Sequence, residues 1–251
     1  MKPAAGVAAM ACTVFVAAAI TAGARSSVKG DRLIAAAEQS ERAARSFEAV
    51  MQAHAMAIPP DLLGRAKAVV VFPRTGKRAD SGDGSRGVVS RRTNTGWGSP
   101  VFVRVSAGSV GPQRRAASTD YFLLLMTDES VEELLNDRIG SGNQAAVAAG
   151  PVVGRNAGAE GDASSRTAIL SYSSRRGLFA GVDVRGIVIE PDDDLNLAVY
   201  NQTAHDLLGG RAAGSENGSA FVRSFPETVD RYTIASGDVT ARTAVLHTVA
   251  N

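Results

Sequence analysis

Arginine guanidinium groups present paired N–H donors that match phosphate and carboxylate oxygens. Six basic residues of this chain lie in polar, turn-forming surroundings suited to that chemistry. Arg74, Lys77, Arg78 and Arg86 belong to the segment 74–87, which has no large apolar side chain, and Arg114 and Arg115 follow Gly111-Pro112-Gln113. Glycine-rich backbone adds N–H donors of its own. A further pair, Arg91-Arg92, lies just beyond the first segment. The distribution of charge points the same way. Residues 61–115 hold 11 Lys/Arg against 3 Asp/Glu, a net of +8, and residues 116–251 hold 10 against 18, a net of −8, although the whole chain carries only +2. A basic block followed by an acidic block points to an anionic partner. The competing reading is that the cations only solvate two loops in an Arg-rich composition.

Other chemistry has less support. Ala107-Gly108-Ser109-Val110-Gly111 has the spacing of a nucleophile elbow, which needs a strand before the serine and a helix after it. A strand precedes it, but Pro112 and Arg114-Arg115 offer no helix, so a tight turn is the better reading. Asp192-Asp193-Asp194-Leu195-Asn196 opens like a calcium loop, but Leu197 stands where glycine is needed and Thr203 where glutamate is needed. A solvated turn is expected there. One Cys and three His (54, 205 and 247) exclude a disulfide framework, a CxxC redox site and a Cys/His zinc cluster. Aromatics are 5% of the chain, too few for the stacking platforms that hold single-stranded nucleic acid. No cofactor and no metal are expected, and no nucleic-acid partner.

These side chains must be held by a folded core, and 251 residues with 45% apolar content suffice for one domain with tails. Lys2, an uncharged Ala/Val/Ile stretch from Ala4 to Ala22, and Ala22-Gly23-Ala24 form the layout of a secretory signal peptide over residues 1–24. Cys12 is a poor lipidation site, because Ala9-Met10-Ala11 precedes it and the apolar run continues beyond it.

Apolar residues from Leu33 to Met51 recur at helical spacing and predict a long helix over 31–57, stopped by Pro59-Pro60. A short helix is expected over 61–67, capped by Asp61. Ala68–Phe72 reads as a buried strand ended by Pro73. Further strands are expected at 88–92, 101–105, 121–126, 168–172 and 178–190, with weaker ones at 221–225 and 240–249. Ser130-Val131-Glu132-Glu133 reads as a capping box opening a helix to about 138. A second short helix is expected from Thr203 to Gly209-Gly210, and 139–165 reads as irregular. The class is α+β: a mostly antiparallel, barrel-like sheet core with one long N-terminal helix and short inserted helices.

Several motifs, in order, resemble the SYLF domain family. They are Ile58-Pro59, Leu62-Leu63, Ala66 and Ala68–Pro73; Trp97-Gly98-Ser99-Pro100; Gly108–Gln113 with Asp120 and Leu123–Met126; Gly150–Arg155; and Ser171–Val182 with Gly186. The resemblance is to the bacterial secreted type. It runs from about residue 33 to 210; the domain expected from it is 25–210, with 211–251 as a C-terminal extension packed on that domain. It implies a lipid-binding domain without catalysis, phosphoinositide or membrane binding in eukaryotic members, and actin binding in some fungal ones. The chain departs from the family pattern at Lys77–Ser81 and at Arg114-Arg115, which bring charge where the family is apolar. The expected function is therefore binding of anionic phospholipid or phosphoinositide-like headgroups at a membrane surface, through Arg74, Lys77, Arg78, Arg86, Arg114 and Arg115. The alternative is a protein-interaction module with an actin-like or envelope partner that uses the acidic half; a hydrolase at Ser109 ranks third. Trp97 and Phe179, inside the matched motifs, are expected in the core. The expected location is periplasmic or extracellular, peripheral on a membrane. Intact-mass measurement of the exported protein should show a chain beginning at Arg25; a retained Met1 or a lipidated Cys12 would contradict the leader.

Overall fold

The computed structural model describes the backbone of residues 9–53, 57–73, 86–105, 119–136, 147–149, 168–175, 178–181, 188–209 and 220–234. Side-chain surroundings are described within those ranges from Val28 onward, except for 147–149, 175 and 178–181.

Five consecutive apolar residues, Ala68–Phe72, form β1, and all five are buried. A strand without polar alternation has to be covered on both faces, and the rest of the fold does this. β1 pairs antiparallel with β2 (Arg86–Thr93) on one side and β5 (Asp120–Leu125) on the other. β2 continues to β3 (Gly96–Trp97) and to β4 (Val101–Val105), which pairs with β9 (Ile189–Pro191). β5 pairs with β7 (Ile169–Arg175), which carries β8 (Leu178–Gly181) antiparallel and β6 (Val147–Ala149) parallel. The path β6-β7-β5-β1-β2-β4-β9 is open among the described residues. The expected α+β class and mostly antiparallel sheet are what the structure has.

Helices cover both faces. Val69, Val71, Val88, Phe102, Phe122, Leu124, Leu170 and Tyr172 form one layer. Against it lie Ala43, Phe47 and Val50 of α1 (Ala9–Gln52), Leu62 and Leu63 of α2 (Pro60–Arg65), Leu195 of α4 (Asp193–Tyr200), and Val222, Phe225 and Val229 of the C-terminal segment. On the other face, Ala68, Val70, Phe72, Val89, Val103, Leu123 and Ile169 meet Val131 and Leu134 of α3 (Asp128–Leu135) and Ala204 and Leu208 of α5 (Ala204–Leu208). Gly87 is required by this packing: a Cβ there would stand 2.5 Å from the Phe72 ring.

Strands 68–72 and 101–105 have the expected bounds, and those at 86–93, 120–125 and 169–175 lie within a few residues of expectation. Other expectations need correction. α1 begins upstream, because the uncharged Ala-rich stretch is itself a strong helix former, and it ends at Gln52 rather than 57. Asp61 lies in the first turn of α2, with Pro59 at the N-cap and Pro60 as first residue. In α3 the capping box is Thr127 with Ser130, so Ser130 is the third helical residue and not the cap. Asp192 is not in a solvated turn: it is buried and caps α4 by accepting from the Leu195 N–H. Within 139–165, Val147–Ala149 forms a strand. The strand expected at 221–225 is instead a 3₁₀ turn (Ala220–Val222) leading into a helix, α6, over 224–234. The strand expected at 240–249 and the residues around Ser109 lie outside the described residues.

α6 is fixed to α1 by aromatic and polar contacts. The Phe47 ring meets Phe225 and Tyr232 edge-on, at 6.2 and 6.1 Å between centroids. The Ser40 hydroxyl donates to the Val222 carbonyl and accepts from the Phe225 N–H at 3.2 Å. Phe225 is fully buried. Phe225→Ala should therefore cost roughly 3–5 kcal/mol, as truncation of a packed core phenylalanine does. Denaturant or thermal unfolding will read this as a lower midpoint; an unchanged midpoint would mean that the C-terminal segment contributes nothing to the core.

Candidate functional site

Charged side chains gather at both ends of the sheet. At the end where β1 starts, cations are consumed by the fold. Arg92 lies over the Trp97 ring, 4.4 Å from its centroid, and donates to the Ala66 carbonyl at 2.9 Å and the Leu63 carbonyl at 2.8 Å. It thus satisfies the last carbonyls of α2 while stacking on an aromatic face. Burial lowers its pKa, and Asp230 opposes the shift. Trp97 is buried, as expected, and its indole N–H donates to Thr233 of α6 at 3.1 Å. Beside it Gly96 has φ +133°, with Asp230 Oδ1 standing 3.2 Å from where a Cβ would be. Arg91 donates to Asp128 Oδ1 at 2.7 Å and to the Leu208 carbonyl, and Lys67 Nζ lies 3.5 Å from Asp128 Oδ2. These contacts tie α3 and α5 to the sheet. The Arg91-Arg92 pair is structural.

At the opposite end the register gathers the strand ends that flank both basic segments. Phe72, the last residue of β1, pairs with Tyr121 near the start of β5, and Val71 pairs with Val88. Arg86 pairs with Arg104, and Val105 with Ile189. The segment 73–85 therefore leaves β1 and enters β2 at the same end of the sheet where 106–119 leaves β4 and enters β5. Asp120 pairs there with Ser174, and Arg175 with Leu178, so the β7–β8 hairpin turns at that end too. The motif Ser171–Val182 lies largely on this hairpin.

Of the six candidate residues, Arg86 is described. It is half-buried and faces Asp192 Oδ2 at 3.7 Å. Arg74, Lys77, Arg78, Arg114 and Arg115 lie outside the described residues, as does the side chain of Phe179. Composition did not single out Arg104, which stands beside Arg86 and pairs with Glu190 at 3.4 Å. It lies in an apolar strand, Val101–Val105, and only cross-strand register brings it to this end. Tyr200, which donates to the Pro100 carbonyl at 2.7 Å, has its phenol pKa raised by burial, and so does Tyr172. Among the described residues no group of His, Cys, Asp and Glu is arranged to hold a metal ion.

Residues 106–228 match the family described as "Ysc84: Las17-binding protein actin regulator". The chain is 35% identical over 165 residues to an SH3 domain-containing protein of Schizosaccharomyces pombe, covering 62% of this chain and 38% of that protein. It is 34% identical over 161 residues to LAS seventeen-binding protein 3 of Saccharomyces cerevisiae, covering 61% and 35%. It is 29% identical over 197 residues to SH3 domain-containing YSC84-like protein 1 of Bos taurus, covering 74% and 56%. The chain is a member of the SYLF domain family. It spans between about a third and just over half of the length of these relatives.

The hydrogen bond from Arg91 holds the Asp128 carboxyl below its usual pKa, with the Lys67 and Arg91 charges adding to the effect and partial burial opposing it. A carboxylate whose pKa is depressed in the folded state contributes stability that is complete above its unfolded pKa of about 4. That contribution disappears as pH falls through the folded value. The carboxylate is half exposed, so the contribution is modest. Wild type should be more stable than Asp128→Asn at neutral pH, and the gap should close below about pH 4. Urea titrations at several pH values will show it; a gap that persists at low pH would assign the effect to packing instead.

Proposed function

We propose that this chain is a non-enzymatic module that binds anionic phospholipid at a membrane surface, with the basic end of the sheet as its contact. The observation that carries this reading is the shared end of the sheet from which segments 73–85 and 106–119 both depart. Two sequence-distant cationic segments, with Arg74, Lys77, Arg78, Arg114 and Arg115, thereby have neighbouring anchor points beside Arg86 and Arg104. Each basic residue near an anionic membrane contributes on the order of 1 kcal/mol, so several acting together hold a domain on it. Family membership and the net +8 of residues 61–115 support the same reading. The uncharged stretch Ala4–Ala22 with Ala22-Gly23-Ala24 supports a location outside the cytoplasm.

A second reading is favoured by the relatives' names. The yeast protein is named for binding LAS seventeen, and a protein partner for this chain follows by analogy. The net −8 of residues 116–251 would then supply complementarity to a basic partner.

Replacing Lys77, Arg78, Arg114 and Arg115 together with Ser should abolish most co-sedimentation with vesicles containing about a third anionic lipid, at roughly 1 kcal/mol per charge. Wild-type binding should fall as salt rises, because exposed charges are screened over about 8 Å at physiological ionic strength. Melting temperature should stay close to wild type. Equal and salt-insensitive binding by both proteins would reject the lipid reading in favour of the protein-partner one.

A further inference from the structure

Arg86 and Arg104 are directly opposite each other on neighbouring antiparallel strands, and Glu190 is directly opposite Arg104 on the next strand. Directly paired residues point to the same face of a sheet, so the three form one cross-strand row. Two like charges side by side are unfavourable unless neutralised. The neutralising groups come from a single short segment, the β9–α4 junction: Glu190 pairs with Arg104, and Asp192 with Arg86. The two carboxylates differ from their partners in accessibility. The Asp192 side chain is 8% exposed and that of Glu190 32%, whereas Arg86 and Arg104 are 43% and 48% exposed. The cations are thus the more exposed partners: Glu190 stands beside Arg104 on the same face and still reaches solvent, and Asp192 is nearly buried.

We infer that Glu190 and Asp192 are built-in competitors for the basic end of the sheet: they partly neutralise Arg86 and Arg104 and set how strongly that end holds an anionic phospholipid surface. This rests on the lipid-binding reading above and adds to it a residue-level control of affinity. A lipid phosphate approaching Arg86 or Arg104 must share or displace a carboxylate, and this limits residence on weakly anionic membranes. Asp192 performs two tasks with separate atoms: Oδ1 accepts from the Leu195 N–H at 3.3 Å to cap α4, and Oδ2 faces Arg86. Asn is as good an N-cap as Asp, so Asp192→Asn removes the charge and keeps the cap.

The test compares the whole chain with the double variant Asp192→Asn/Glu190→Gln on phosphatidylcholine vesicles containing phosphatidylserine. A control variant, Glu38→Gln/Glu41→Gln, makes the same change in net charge on α1, where those residues pair with Arg42 and Arg45. The double variant should bind roughly fivefold more tightly per carboxylate neutralised. The control should gain much less, and the gain should vanish when Arg86 and Arg104 are also changed to Gln. If wild type binds in a salt-dependent way and the double variant gains no more than the control, the competitor role is wrong and the lipid reading stands. If neither protein binds anionic vesicles, both fail. Should Asp192→Asn lower the melting temperature despite the retained cap, Glu190→Gln alone carries the same comparison.

Discussion

Complete burial of one central strand organises this domain. Ala68–Phe72 has no polar residue and no exposed face, so its backbone must be paired on both edges and its side chains covered above and below. The edges are met by β2 and β5, the faces by α1, α2, α4 and α6 on one side and α3 and α5 on the other. Because the second layer draws on residues far apart in the chain, including Val222, Phe225 and Val229, the C-terminal segment is part of the core.

Stacking two helical layers on one sheet leaves only its ends and edges for polar work. At the end bearing Arg91 and Arg92, cations terminate helices, stack on Trp97 and pair with Asp128, and little charge is left uncompensated. At the other end β2 begins at Arg86 and β4 ends just after Arg104, each paired with a carboxylate of the β9–α4 junction. Arg86 and Arg91 are five residues apart along β2, roughly 17 Å at 3.4 Å per residue. That exceeds the Debye length of about 8 Å at physiological ionic strength, so the two ends act as separate electrostatic units. Neighbours in sequence, Arg86 and Arg91-Arg92 are therefore held by different partners.

Much of the fold could be read from the chain. Short runs rich in β-branched and aromatic residues, the wholly apolar 68–72 ended by Pro73 and the alternating 101–105 that follows Pro100, placed strands to the residue, because their length, flanking prolines and β-branched content favour a strand over a helix. Caps were harder: Thr127 and Asp192 look like ordinary loop residues until the N–H groups they accept from are positioned. The segment 221–225, Phe-Val-Arg-Ser-Phe, has the aromatic and β-branched content of a strand, but Val222, Phe225 and Val229 recur at helical spacing and are buried together with Phe47 of α1, and this tertiary demand overrides local preference.

The sequence alone determined the composition of the candidate site: which residues are basic, that they cluster in 61–115, and which family's motifs surround them. Local spacing and charge carry that information without reference to three dimensions. Only the tertiary structure decided which partners the described cations meet. The deciding quantity is strand register. It sets Arg92 over Trp97, opposes Arg86 to Arg104, and brings Glu190 and Asp192 beside them from about a hundred residues away. Pairing across strands depends on sequence separations that no local pattern records.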